Sequence, residues 1–441
     1  MRYFHRFAAR RAWRAALAAG LAAGACVTTA PAQAQLGLPR VTLPTLPRDL
    51  PRLPTPAPEA AQNLVPLQAL RLSAVRDLLR DHADVLEADP AGEPVRRAEL
   101  LLVSPAQATV DAAVALGFRV LREQVLAALD LRQVVLQAPP GLGTAEALAR
   151  LRALDPQLQA DFNHVYTRSG EVSATAAPAS DSAAPAARRV GLIDSGVDRR
   201  HPALRSADLH AWGCNGTPVA SPHGTAVASL LVGRDAAFTG VAPGATLYAA
   251  DIYCGQAAGG AAEQIAAALA WLAQEQVGVV NISLVGPANR LLELAVQAMV
   301  RKGHLVVAAV GNDGPAAPPL YPAAYPGVVG VTGVTTARRA LPEAAQGPQV
   351  SFAAPGAELA VARPGGGYVA ARGTSFAAPL VAGLLAEHLR GPDSTAAAAA
   401  LARLADSAQD LGAPGRDPVF GIGLVGEQAR VAPVRVQAQV R

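Results

Sequence analysis

The sequence predicts an α/β molecule: a doubly wound, mostly parallel sheet with helices on both faces, preceded by a small α+β unit of the ferredoxin-like kind. Three observations carry this. From Val190 onward, stretches rich in β-branched residues alternate with Ala-rich stretches of helical length, as strands and crossover helices do. Before them, residues 98 to 166 read as β-α-β-β-α-β, the split βαβ order. With 441 residues, 51% of them hydrophobic and 16% charged, the chain has material for two or three domains and a sizeable core.

Taken in order, the chain opens with Arg2, Arg6, Arg10, Arg11 and Arg14, then the apolar run Ala15 to Val27. Small residues at Ala30-Pro31-Ala32 and Ala32-Gln33-Ala34 follow, so residues 1–34 are expected to be a signal peptide removed after Ala34. The apolar run is too short for a comfortable membrane span. Lipidation of Cys26 is the alternative, but Ala23-Gly24-Ala25 before it is a poor lipoprotein box. Without those five arginines the formal charge of +4 becomes one negative, leaving no basic stripe for nucleic acid or an anionic membrane. The mature protein is expected to be a soluble monomer, secreted or periplasmic. It would keep two cysteines, Cys214 and Cys254, an even count that in an oxidising compartment points to a disulfide, with two unrelated buried thiols as the alternative.

Residues 35–66 carry proline every few positions up to about residue 60 and read as an extended linker. A short amphipathic helix is expected over Leu67 to Leu79, with Leu70, Val75, Leu78 and Leu79 forming a partial apolar stripe. Glu99 to Val103 then reads as a strand, Ala106 to Leu116 as a helix, and Phe118 to Val125 and Leu131 to Gln137 as strands. Thr144 to Leu154 returns to helix and Leu158 to Val165 closes as a strand, which sets the first folded unit at 67–166. Residues 167–188 turn to Ser, Ala, Pro and Thr, the composition of an exposed, cleavable linker.

The main domain is expected over 189–430, with 431–441 as a C-terminal tail. Its candidate strands are Val190 to Asp194, Thr246 to Asp251, Gly278 to Ser283, Leu305 to Val310 and Val328 to Val334, with helices near 223–232, 261–274, 289–302 and 375–390. In such sheets ligands bind beyond the carboxyl ends of the strands. Four polar residues stand at those ends or at the helix starts. Asp194 ends the first strand, ahead of Ser195-Gly196. His223 opens a helix after Pro222. Asn312 follows the strand that begins at Leu305. Ser375 lies in Gly373-Thr374-Ser375-Phe376-Ala377, a tight turn leading into a buried helix of small residues. Each has an ordinary explanation as a turn or cap residue. Together they supply a nucleophile, a base, a group that orients the base, and an oxyanion donor.

With these residues in view, the chain resembles the subtilisin-like serine proteases, the subtilases. The order Asp, His, Ser is that of subtilisin, and Asp194-Ser-Gly-Val, His223-Gly-Thr-Ala-Val-Ala and Gly373-Thr-Ser-Phe-Ala-Ala-Pro are similar to the family's three signatures. Gly240 to Tyr248, Val280 to Leu284, Tyr321 to Pro326 and Phe420 to Val425 add to the likeness, which runs from about 188 to 430. The resemblance implies Ser375 as nucleophile, His223 as general base and then acid, and Asp194 as its orienting partner. Asn312 would donate to the oxyanion together with the Ser375 N–H. Ser283-Leu284 and Gly259-Gly260 would be edges that pair with an extended protein or peptide substrate. The 67–166 unit would be a pro-domain that assists folding and blocks the site until self-cleavage in the 167–189 linker, unless it is a retained accessory domain.

Several positions depart from the family pattern. Ala226 and Leu380 stand where histidine is frequent, outside the triad. Val285 replaces a frequent glycine on the substrate edge and is expected to narrow a subsite. Asp313, next to Asn312, would favour a basic side chain. Ala203 and the short Val232 to Gly240 stretch replace segments that often ligate calcium, so no metal or other cofactor is expected, and the Cys214–Cys254 pair would brace that region instead. The expected activity is that of an exported serine endopeptidase made as a self-processing zymogen. Its rivals are a non-catalytic protein that grips extended peptides on the same scaffold and an esterase or lipase. The latter lacks its Gly-x-Ser-x-Gly elbow.

Overall fold

The computed structural model describes residues 65–168, 170–172, 188–256 and 259–433. They fall in one compact unit, Pro56–Arg441; the other unit, Met1–Thr55, lies outside the described residues. The expected signal peptide, most of both linkers and most of the C-terminal tail therefore lie outside them as well.

The main domain is organised by a seven-stranded, wholly parallel sheet. Its order is Val350–Pro355, Val329–Val334, Leu305–Ala309, Val279–Ile282, Arg189–Asp194, Thr246–Asp251 and Leu209–Trp212. Its inner strands are buried along almost their whole length, which is why they read as unbroken apolar runs. One face packs on the helices Pro222–Val232 and Thr374–Ala386, the other on Ala262–Gln274 and Arg290–Arg301. The five expected strands and four expected helices are present within a few residues of their expected ends. Two edge strands, Leu209–Trp212 and Val350–Pro355, and the helix Ser394–Asp406 were not anticipated. Leu209–Trp212 has four residues, two of them exposed, and so carries little periodic signal.

The N-terminal unit is an antiparallel sheet ordered Arg119–Leu126, Leu131–Gln137, Pro94–Val103, Gln159–His164. The helices Gln107–Ala115 and Thr144–Leu154 complete the ferredoxin-like order, and Leu86–Ala88 adds a short hairpin strand. Alternation along Pro94–Val103 divides its side chains between two faces. Leu100 and Leu102 pack with Val134, Leu136, Leu148 and Leu151 inside the unit. Leu101 and Val103 face the other way and share a core with Ile265, Leu269 and Leu292 of the main domain. The helix expected at Leu67 to Leu79 spans Val65–Asp81, with Leu78 and Leu79 against Leu86 and Val165.

One expectation is corrected. Residues 167–168 and 171–172 are not loose linker: Thr167–Arg168 and Glu171–Val172 are short strands paired with the main domain. Their composition is polar, but backbone pairing is indifferent to side chain, so the partner edges decide the conformation.

Candidate active site

Asp194 ends the strand Arg189–Asp194 at the carboxyl edge of the sheet and is fully buried. A carboxylate there needs donors, and it has them. Its Oδ1 accepts from the Ser195 N–H at 2.6 Å, from the Ser195 hydroxyl at 2.9 Å and from His223 Nδ1 at 2.9 Å. Oδ2 is also 2.9 Å from His223 Nδ1. His223 is held in place because Pro222 starts its helix without needing a backbone donor. Gly224 then lets the helix press on the preceding turn: a Cβ there would run into the Ser195 carbonyl, while its N–H donates to Ser195 Oγ at 3.1 Å. With Nδ1–H committed to Asp194, Nε2 is the acceptor nitrogen. Buried and without a partner among the described residues, it is free to take a proton.

Ser375 lies in the first turn of the buried helix Thr374–Ala386, directly after Gly373, whose φ of 136° suits glycine. Its hydroxyl donates to the Ser283 carbonyl at 3.2 Å, and the Ser283 hydroxyl donates back to the Ser375 carbonyl at 2.9 Å. Asn281 Nδ2 donates to Ser283 Oγ at 2.9 Å, so a chain of hydrogen bonds runs from the strand Val279–Ile282 to residue 375. The ring of Phe376, the next residue, lies 5.4 Å from the His223 ring between centroids, so the start of this helix packs against the imidazole. The backbone N–H of Ser375 is among the first four of the helix, which have no carbonyl within it to donate to.

Asn312 follows the strand Leu305–Ala309 and is oriented by the same helix start. The Thr374 N–H donates to Asn312 Oδ1 at 3.1 Å, and the Gly311 N–H donates to Thr374 Oγ1 at 3.2 Å. The amide Nδ2 lies 3.0 Å from where a Cβ on Gly373 would stand. That built position is also 2.7 Å from the Gly170 Cα, so residues 312, 373 and 170 meet at one point.

Residue 170 is there because residues 165–168 and 171–172 of the chain pair with edges of the main domain. Val165 bridges Ala261, and the Tyr166 N–H donates to the Gly260 carbonyl at 3.0 Å. Thr167 and Arg168 pair antiparallel with Val285 and Leu284. Beyond Gly170, Glu171 and Val172 pair antiparallel with Arg372 and Ala371, in the strand Tyr368–Arg372 that leads into the helix carrying Ser375. Of the expected substrate edges, Gly260 and Leu284 hold this segment. Ser283 holds Ser375 instead, and Gly259 closes a turn onto the Gln256 carbonyl at 3.0 Å. Tyr166, Asn281 and Ser195 escaped the sequence reading. Asn281 carried a visible signal, a lone amide in an apolar strand.

Further contacts seat the N-terminal unit. The Asp161 carboxylate accepts from the Arg290 N–H at 2.8 Å, at the first residue of the helix Arg290–Arg301, where the helix dipole favours a negative charge. Arg122 pairs with Glu263 at 2.7 Å. Cys214 and Cys254 are joined with their Cα atoms 5.2 Å apart. The bridge ties the loop before the His223 helix to the loop before Gly259-Gly260. Asp251 supports both loops, accepting from the Val219, Tyr253 and Cys254 N–H groups at 2.9 to 3.0 Å. Those two sulfurs and the Asp251 carboxylate are the one His/Cys/Asp/Glu cluster of metal-binding spacing among the described residues, and the bridge engages both sulfurs.

Comparison with known proteins agrees with this geometry. Subtilisin E of Bacillus subtilis (strain 168) is 32% identical over 250 residues, covering 55% of this chain and 65% of its own length. The subtilisin of Bacillus pumilus is 32% identical over 250 residues and is covered over 90% of its length. The chain thus spans just under two thirds of subtilisin E. Among solved structures, fervidolysin of Fervidobacterium pennivorans, a keratinolytic enzyme related to subtilisin, superposes with a TM-score of 0.63 at 20% identity. It covers 81% of this chain and 63% of its own, so the shared fold takes in part of the N-terminal unit. Residues 187–423 match the model of the peptidase S8, or subtilase, family, and the chain belongs to that family.

Proposed function

We propose that this protein is an exported serine endopeptidase, made as a precursor that cleaves itself between Arg168 and Gly170. The observation that carries this is that residues 165–168 and 171–172 of the same chain pair with strand edges beside Ser375, as an extended substrate would. Edges 260 and 284–285 hold the first stretch and edge 371–372 the second. An extended substrate paired with both edges would have its attacked bond at Ser375, the geometry from which proximity draws its effect.

In this reading Ser375 Oγ turns from the Ser283 carbonyl toward His223 Nε2, gives it the proton and attacks the carbonyl carbon. The negative charge that develops on the carbonyl oxygen is met by Asn312 Nδ2 and the Ser375 N–H. His223 then passes the proton to the leaving amine as the C–N bond breaks, leaving an acyl-enzyme. Water, deprotonated by the same imidazole, releases the acid and restores the serine. Asp194 keeps the imidazole in the right tautomer and stabilises its charged form. The N-terminal unit serves as folding template and inhibitor of the monomeric enzyme until the cut frees it. The arginine-rich start and apolar run of residues 1–27 support export. No helix among the described residues is long and apolar enough to cross a membrane.

Ser375→Ala tests this directly. The variant should hydrolyse no casein, take up no fluorophosphonate label and accumulate as uncleaved precursor, whereas the wild type should yield a mature N-terminus at residue 169 or 170. A variant that still matures when purified would refute self-processing. A wild type that never labels would refute the hydrolase reading.

A further inference from the structure

The helix Val65–Asp81 precedes the ferredoxin-like unit and lies along a cleft of about 760 Å³ lined also by Arg168, Asn312, Asp313 and Gly373. From it Arg71 reaches the cleft wall, and its Nε lies 3.2 Å from Asp313 Oδ2. The other edge of the guanidinium is gripped by Glu93 of the same N-terminal unit, with Nη1 and Nη2 at 3.1 and 2.7 Å from its two carboxylate oxygens. Both partners are largely buried, Arg71 at 16% and Asp313 at 13% exposure. Burial raises the Asp313 carboxyl above its ordinary range, Arg71 works to lower it, and Glu93 adds to the rise.

Two further observations bear on Asp313. It directly follows Asn312 and shares one cleft with Arg168, Gly170 and Gly373, so its carboxylate stands on the wall of the cleft that the substrate-like segment enters. Arg168, the other cation on the substrate-like segment, is committed elsewhere. It donates to Ser221 Oγ at 3.0 Å and lies over the Tyr253 ring at 4.8 Å. Glu343, also on the cleft, is paired with Arg372 at 2.7 Å. Among the described residues, Arg71 is the cation that answers Asp313.

We propose that Asp313 selects a basic side chain on the substrate residue whose carbonyl is attacked, and that Arg71 occupies that carboxylate in the precursor as a built-in stand-in. This rests on the peptidase reading above. Departure of the N-terminal unit removes Arg71 and Glu93 together, leaving Asp313 part-buried on the cleft wall without its cation. An arginine or lysine side chain restores the pair, an apolar one leaves a buried carboxylate unanswered, and an acidic one adds repulsion.

The test uses the full chain, allowed to mature, on peptides that differ only in that residue: Arg, Lys, Leu or Glu. The expected order is Arg and Lys above Leu by about tenfold or more, with Glu last. Asp313→Asn should lower the Arg-to-Leu ratio of kcat/KM by about 10–100-fold, and Asp313→Glu should keep it above one. In the full chain, Arg71→Met should shorten the lag before the Arg peptide is turned over. A wild type that cleaves Leu as well as Arg overturns the assignment even if no variant accumulates, as does an Asn variant with an unchanged ratio. An unchanged lag overturns the role of Arg71. A preparation that cleaves casein without the preference leaves the peptidase reading standing, and one that cleaves nothing removes that reading itself.

Discussion

Ser375 and Asn312 depend on neighbours that are ordinary in sequence. Thr374 contributes its N–H to the Asn312 amide and its hydroxyl to the Gly311 N–H, so a single threonine sets which end of the amide faces the cleft. In the proposed mechanism that amide meets charge only as the carbonyl oxygen becomes an oxyanion, so Asn312→Ala is expected to lower kcat by about 10²–10³ with little change in KM. Steady-state kinetics on a soluble peptide checks this, and a proportional rise in KM would instead make Asn312 a ground-state contact. Ser195 has a comparable supporting role, giving Asp194 two donors that keep its carboxylate aimed at His223.

At the level of elements, the N-terminal unit is fastened by polar contacts whose protonation matters. His164, at the end of the strand Gln159–His164, accepts from Asn289 Nδ2 at its Nδ1 at 3.0 Å, which leaves Nε2–H to donate to Asp89 Oδ2 at 3.2 Å. Burial works to raise the Asp89 carboxyl, but His164 and the N–H groups of Glu93 and Ala91 outweigh it and hold the group below its ordinary value of 3.8. A carboxyl depressed on folding contributes stability that is present above its unfolded value and lost as pH falls through the folded one. Asp89→Asn turns an amide donor toward the Nε2–H donor or forfeits that contact. It should therefore lower the melting temperature of the Ser375→Ala precursor near pH 7, by an amount that shrinks below about pH 4. Paired thermal melts across that range decide it; a pH-independent deficit would mean the loss is one of packing alone.

In the whole molecule, a single strand serves two cores. Leu102 is buried within the N-terminal unit, whereas Leu101, its neighbour in the chain, is buried against the main domain. Removing either leaves a cavity at a cost of about 2–5 kcal/mol, but the consequences differ. Leu102→Ala should destabilise the unit itself. Leu101→Ala should spare the unit's own fold and weaken its seat, so that cleaved unit leaves sooner and proteolysis appears with a shorter delay. Melting the Ser375→Ala precursor and timing activity in the active background separates the two. Equal delays for both variants would show that docking and internal stability are not distinct here.

The candidate residues of the site and the existence of the sheet's inner strands were legible in the chain, because both rest on local facts, whereas the order of those strands in the sheet was not. A buried parallel strand must be apolar throughout, and the proposed nucleophile, base, orienting carboxylate and oxyanion donor each sit at a turn, strand end or helix start that is readable over a few positions, as at 375, 223, 194 and 312. Tertiary structure alone decided what fills the cleft. Nothing in Thr167, Arg168 or Glu171 marks them as strand, and nothing in Arg71 points to Asp313, 242 residues away. Unpaired backbone edges at 260, 284 and 372 impose the first, and the shortage of cations near a buried carboxylate imposes the second. Both are properties of surfaces that exist only once the two units are folded against each other.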